Sequence, residues 1–155
     1  IDFSEESVAA QRERVPHATY LHADAARLEG WTQPTFHVVL DKGTLDAVCQ
    51  CVTPQTADTA RRIVREALRV LLPGGVFIIF SIIDAAVRAP LLLEAAGLDA
   101  ATGVHSVDPS GAPCAVYSAP RGPLSCRVWR LAAHPLEMPD QEFMTMYAFS
   151  KLAAD

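Results

Sequence analysis

The chain has 155 residues, half of them hydrophobic and a fifth charged, with a formal net charge of −5. That is one domain's worth of chain with an ordinary globular composition, and its acidic balance argues against a nucleic-acid surface, which needs clustered Lys and Arg. No apolar run reaches the roughly 20 residues that cross a bilayer; the longest, VFIIFSII, stops at Asp84.

The chain opens IDFSEES, without an initiator Met, at what reads as the last residues of a strand. The expectation is therefore a domain whose first strand and helix are missing here. Residues 4–14 carry a Ser cap followed by acids, which predicts a helix that Pro16 stops. ATYLHAD at 18–24 reads as a short strand ending in an acid, RLEGWTQP as a loop, and FHVVL at 36–40 as a parallel strand covered on both faces. The stretch TPQTADTARRIVREALRVLLPGG is the clearest helix. Its residues Ala60, Ile63, Val64, Ala67, Leu68 and Leu71 form one apolar stripe, with Thr53 as cap, Pro54 at the first position and Pro73-Gly74-Gly75 as the stop.

VFIIFSI at 76–82 predicts a second buried strand. A helix lies within 85–97, starting late because Pro90 suits a first turn, and Gly97 closes it. Residues 98–123 are rich in Gly, Pro, Ser and Ala and read as an insertion or loop. LSCRVWRLAA and EFMTMYAFSKL then predict two strands, an antiparallel pair. Strand and helix alternate, which defines a single α/β domain over 1–155, a three-layer sandwich with a mostly parallel sheet and an antiparallel end.

The cysteines, Cys49, Cys51, Cys114 and Cys126, form no CxxC pair and read as free thiols of a reducing compartment. The histidines are scattered, and no metal is expected. Trp31, Trp129, Met138, Met144 and Met146 read as packing residues, and Pro135–Pro139 as a connecting turn.

In open α/β sheets ligands bind at the carboxyl ends of strands, and Asp2, Asp24 and Asp41 fall at such ends. An acid in the position of Asp2 accepts ribose hydroxyls, and one in that of Asp24 can accept from an exocyclic amine, with the Ala25 amide beside it. The stretch LDKGTLDA admits three chemistries. A phosphohydrolase needs D-x-D-G-T or D-K-T-G-T, and this motif is one residue short. A metal-bound nucleotide site needs a GxxxxGK[ST] loop, and none occurs. The third is the floor of a methyl-donor pocket. In isolation, Asp41 would be a turn cap, Lys42 its solvated partner and Asp46 a helix cap.

Taken together, IDFSEESV, LHADAARL, FHVVLDKGTLDAV and LRVLLPGGVFIIFS resemble the seven-strand (class I) S-adenosylmethionine-dependent methyltransferases. More narrowly they resemble the protein-lysine methyltransferases of elongation factor 1-alpha and mitochondrial citrate synthase. The resemblance covers residues 1–97 and the closing MTMYAFSKL strand. It implies a Rossmann-like fold and S-adenosylmethionine as cofactor. It also implies a protein lysine as acceptor, no nucleic-acid, membrane or metal partner, and an intracellular location, cytoplasmic or mitochondrial. By position it implies that Asp2 holds the ribose, Phe3 flanks the adenine, and Asp24 and Ala25 hold its edge. Asp41, with Lys42 and Gly43, would line the methionine end, Asp41 also being the catalytic residue that orients the amine rather than acting as a strong base. Thr44, Leu45 and Asp46 would shape the entrance for the lysine. The family's glycine-rich turn has no G-x-G-x-G counterpart in these residues. A non-catalytic methyltransferase-like interaction module is the alternative, and a nicotinamide dehydrogenase leaves DKGTLD unexplained.

Overall fold

The computed structural model describes residues 1–107, 112–118, 123–132 and 143–152. Helix α1 (Glu5–Arg14) begins where the caps predict, with Ser4 Oγ accepting the Ser7 amide at 3.1 Å. The expected strand at 18–24 shrinks to one parallel bridge, Asp2 to His22. Its backbone bonds run from Asp2 N to Leu21 O and from Ala23 N to Asp2 O. Both segments are largely exposed and have too few buried side chains to sustain a longer ladder.

Strand β1 (Phe36–Lys42) leads through Gly43 into a five-residue helix, α2 (Thr44–Val48). Helix α3 (Pro54–Val70) carries a reciprocal cap: Thr53 Oγ1 accepts the Thr56 amide while Thr56 Oγ1 accepts the Thr53 amide. Strand β2 (Leu71–Ser81) starts at once. Leu71 pairs with Phe36, residues 72–75 bulge out with Gly74 at φ +81°, and the regular parallel ladder resumes at Val38–Val76. The PGG triplet thus lies within β2, starting three residues past the helix end it was expected to form. At this C-terminal end α3 is tied down by Lys151, whose Nζ donates to the carbonyls of Leu68 and Leu71, a cation satisfying the last turn.

Helix α4 (Ala85–Ala95) starts earlier than Pro90 led us to expect. Asp84 caps it by accepting the Ala86 amide at 2.7 Å, and Pro90 sits exposed in its middle, where the carbonyl it leaves unpaired can meet water. The loop reading of 98–123 is corrected too: strands β3 (Val104–Val107) and β4 (Pro113–Ser118) pair antiparallel within it, and residues 108–111 and 119–122 lie outside the described set, as does the expected turn at Pro135–Pro139 with Met138. Strands β5 (Leu124–Ala132) and β6 (Phe143–Lys151) form the predicted antiparallel pair.

The sheet runs β1-β2-β6-β5-β4-β3. Among the described strands only β1 and β2 pair parallel, and the other pairings are antiparallel. The fold is α/β as expected, but its sheet is mixed rather than mostly parallel, because the C-terminal strands return by hairpins instead of helical crossovers. One face collects Phe77, Ile79, Cys126, Val128, Tyr147 and Phe149 against Leu45, Ile63, Val64, Leu92 and Leu93, so α2, α3 and α4 cover the same side. Phe77 and Phe149 stack across β2 and β6 with centroids 6.1 Å apart. On the opposite face Val38 and Leu40 are 55% and 61% exposed.

Candidate active site

The parallel pair delivers its carboxyl ends side by side, Asp41 next to Ile79 and Lys42 next to Phe80. A turn must follow at once, and Gly43 makes it in the left-handed region (φ +96°). Gly43 is also the N-cap of α2 but has no side chain to cap with. Asp41 caps the helix in its place, its Oδ1 accepting the Gly43 amide and its Oδ2 the Leu45 amide, both at 3.2 Å. Asp41 is buried. That burial raises its pKa above the ordinary 3.8, the Leu45 and Gly43 amides pull the other way, and the Asp46 carboxylate adds a further upward push.

Beside this turn lies a cavity of about 610 Å³, whose wall includes Asp2, Phe3, Asp24, Ala25, Gly43 and Thr44. Four separate stretches of chain therefore meet at one concavity. Asp2 Oδ1 accepts the Ser4 amide and Asp24 Oδ1 the Ala26 amide, each at 2.8 Å. Among the described residues neither Oδ2 carries a hydrogen bond, nor does the Ala25 amide. Phe3 is 78% exposed at the rim, an aromatic face open to a planar ring.

A second cavity, about 460 Å³, touches the first across Gly43 and Ala47. Its wall is mainly apolar, with Phe80, Ile82, Ile83 and Met144, and it includes Lys42 and Asp46. Asp46 is buried and fully engaged. Its Oδ1 accepts Ser81 Oγ at 2.7 Å and Arg88 Nη2 at 3.2 Å, and its Oδ2 accepts the Ile82 amide at 2.8 Å.

The structure thus brings Asp2, Phe3, Asp24, Ala25, Gly43 and Thr44 to one cavity, and sets Lys42 on the neighbouring one. Four readings change. Lys42, expected at the methionine end, lines the second cavity and not the first, and Thr44, expected at the lysine entrance, lines the first and not the second. Asp41 lines neither cavity, because both its oxygens are turned to the backbone of α2. Leu45, expected at the entrance, is 1% exposed and belongs to the core, since it follows Thr44 onto the inner side of α2. Sequence reasoning missed Arg88, although a lone Arg within AAVRAPLLLEA is itself a signal, because a buried charge demands a partner. It also missed Phe80 and Ile82, which read only as strand, and Ile83 just beyond it.

Among the described residues no cluster of His, Cys, Asp and Glu is arranged to hold a metal ion, and no helix is long and apolar enough to cross a membrane.

Residues 1–79 match the family model described as a methyltransferase domain, and the chain belongs to that family. Among curated proteins it is 39% identical over 89 residues to the mouse (Mus musculus) eEF1A lysine and N-terminal methyltransferase, covering 55% of this chain and 13% of that protein. It is 43% identical over 74 residues to the mitochondrial citrate synthase-lysine N-methyltransferase of Pongo abelii, covering 47% of this chain and 29% of the relative. It is 36% identical over 86 residues to the Bos taurus EEF1A lysine methyltransferase 4, covering 50% and 34%. The match spans about a third or less of each relative's length. Among solved structures, the PH0226 protein of Pyrococcus horikoshii shares the fold at a TM-score of 0.50 and 16% identity, covering 97% of this chain and 71% of that one.

Proposed function

We propose that the chain is the donor- and acceptor-binding part of an S-adenosylmethionine-dependent methyltransferase that modifies a lysine ε-amine of a protein, in the cytoplasm or a mitochondrion. The observation that carries this is the cavity where two half-free carboxylates, an exposed aromatic ring and the Gly43 turn converge. Those groups fit the donor's parts. Asp2 Oδ2 suits the ribose hydroxyls, Phe3 the face of the adenine, and Asp24 Oδ2 with the Ala25 amide its polar edge. Gly43 and Thr44 are the residues for the methionine end.

When bound, the donor supplies an activated sulfonium methyl, so the protein's contribution is alignment and desolvation. Transfer forms a C–N bond as the C–S bond breaks, and the amine gives up its proton to solvent. In-line alignment contributes on the order of 7–11 kcal/mol. The apolar wall of the second cavity, Phe80, Ile82 and Met144, suits the aliphatic stem of a lysine and lowers its pKa by desolvation. Asp41 then acts through the turn it holds, as a positioning residue. The names of the relatives make elongation factor 1-alpha and citrate synthase the first acceptors to try.

Calorimetry with S-adenosylmethionine and, separately, NAD tests the donor. Heat with the methyl donor alone is expected, and Asp2→Ala weakens it at least tenfold. Tritiated methyl transfer to the two candidate acceptors tests the chemistry. No heat with the methyl donor sinks the proposal, whereas donor binding with no transfer to any protein lysine turns it toward the interaction module.

A further inference from the structure

Helix α2 is five residues long, too short to hold its own shape, since a helical nucleus of that size is unfavourable in isolation. It is instead fastened from outside at three places. Asp41 accepts the first-turn amides. Asp46, on the helix itself, reaches Ser81 Oγ and the Ile82 amide at the end of β2. From α4, Arg88 sends one nitrogen, Nη2, to both Asp46 Oδ1 at 3.2 Å and the Cys49 carbonyl, the C-cap of α2, at 3.4 Å. Arg88 is 2% exposed.

Stability alone does not account for this arginine. A buried ion pair adds little over apolar residues of the same shape. Here the guanidinium also has Nε and Nη1 buried without a partner among the described residues, and unpaired buried donors are costly. Where such a cost persists, geometry is the place to look for what it maintains. The helix that Arg88 grips carries Ala47, which together with Gly43 forms the wall shared by the two cavities.

We infer that Arg88 is a positioning residue for methyl transfer: by clamping Asp46 and the Cys49 carbonyl it fixes the α2 wall between donor and acceptor. This rests on the function proposed above. Arg88 touches neither partner of the reaction. It acts by keeping the two sites in register, so its loss should slow transfer without loosening the donor.

The test compares the purified wild type with Arg88→Met, Arg88→Lys and Asp46→Asn. In Arg88→Met the Asp46 carboxylate keeps Ser81 and the Ile82 amide, and the methionine arm fills the same space. Three readouts are taken: hydrogen exchange without donor, donor Kd by calorimetry, and kcat with KM at saturating donor on the acceptor the wild type methylates. In Arg88→Met, amides of residues 43–49 should exchange at least tenfold faster while those of α3 and β2 hold their rates. Its kcat should fall 10- to 100-fold, in line with the effect of misplacing a reacting group by about 1 Å, with donor Kd and acceptor KM within about threefold. Asp46→Asn also takes an acceptor from Ser81 or the Ile82 amide, so its kcat should fall at least as far, and the double variant should be no worse than Asp46→Asn alone, because the two residues act as a unit.

Unchanged exchange at 43–49, or kcat within twofold of wild type, overturns the inference. So does a fall in donor affinity that tracks the fall in kcat, which marks a merely structural role. If Arg88→Met does not fold, Arg88→Lys decides: the lysine nitrogen stops one bond short of the place Nη2 occupies and cannot hold both Asp46 Oδ1 and the Cys49 carbonyl, and a wild-type kcat there refutes the claim. A wild type that binds no methyl donor overturns the functional reading itself, a result the other outcomes cannot mimic.

Discussion

The Gly43 turn gives the sharpest test of how the site is built, because the chain carries its own control. Gly43 and Gly74 both lie in the left-handed region, at φ +96° and +81°, and a Cβ at either would meet nothing within 4 Å. Alanine therefore meets no steric clash at either position, only the backbone cost of a left-handed L-residue, about 1–2 kcal/mol. Reduced freedom of the unfolded chain offsets part of that, so each substitution should destabilise by roughly 1 kcal/mol. For a chain of this size that is a drop of about 2–4 °C in melting temperature. The two sites differ in position. Gly74 sits in the bulge at the start of β2, whereas Gly43 follows the carboxyl end of β1 and lines both cavities. Gly43→Ala should therefore also weaken S-adenosylmethionine binding about tenfold, equivalent to 1.4 kcal/mol, and Gly74→Ala should leave it unchanged. Thermal unfolding and titration calorimetry on both variants provide the readings. Equal donor affinity in the two, or a Gly74→Ala protein that loses donor as well, would refute the assignment of the cavity.

Other outcomes follow from the charged groups and the core. Because burial raises the folded-state pKa of Asp41, its contribution to stability is fully present below 3.8 and is lost as pH rises through the raised value. Urea unfolding from acid to neutral pH should show the wild type losing ground to Asp41→Asn over that window. Glu66 behaves in the opposite sense. The Arg69 hydrogen bond lowers its pKa below the ordinary 4.5, burial opposes this, and the Leu28 amide helps. Its stabilisation is present above 4.5 and fades as pH falls through the folded value, and Glu66→Gln should cost about 1 kcal/mol at neutral pH and flatten that acid limb. Phe149→Ala, which removes a buried ring stacked on Phe77, should cost about 3–5 kcal/mol, measured by urea unfolding, and a loss below 1 kcal/mol would contradict the packing described.

Where local chemistry and tertiary packing agree, the sequence was readable. Thr53 with Pro54 located the start of α3, Ser4 that of α1, and the apolar stripe of α3 is buried along Ala60, Ile63, Val64 and Ala67. That Asp2 and Asp24 would meet at one cavity was readable for the same reason, since the carboxyl end of a parallel strand is where an acid can reach a ligand. Elements set by distant contacts were not. Pro90 argued for a late start to α4, yet Asp84 caps it early and Arg88 in its first turns is bound to Asp46. Strands β3 and β4 hide in a Gly- and Pro-rich stretch because the pairing of β4 with β5 orders them, which no local pattern reports. Asp41 drew notice for its place after FHVVL. Its orientation depended on Gly43 and Leu45 offering two amides to the same carboxylate, a choice made only once the turn is folded.

The position of β6 has a consequence for how the chain reaches this state. The last described strand is inserted between β2 and β5, so that Ile79 pairs with Tyr147 and Ser81 with Thr145. The β1–α3–β2 unit is local and can assemble as soon as it is made, but the sheet stays in two halves until its C-terminal segment arrives. Synthesis then precedes closure, because pairing across so long a loop is slow and the N-terminal part emerges first. A ribosome-bound chain stalled before Phe143 would hold β2 as an open edge, with Phe77 and Ile79 lacking their β6 partners. Chaperone contact should therefore concentrate in that interval, and a C-terminal truncation should be far more damaging than its length implies.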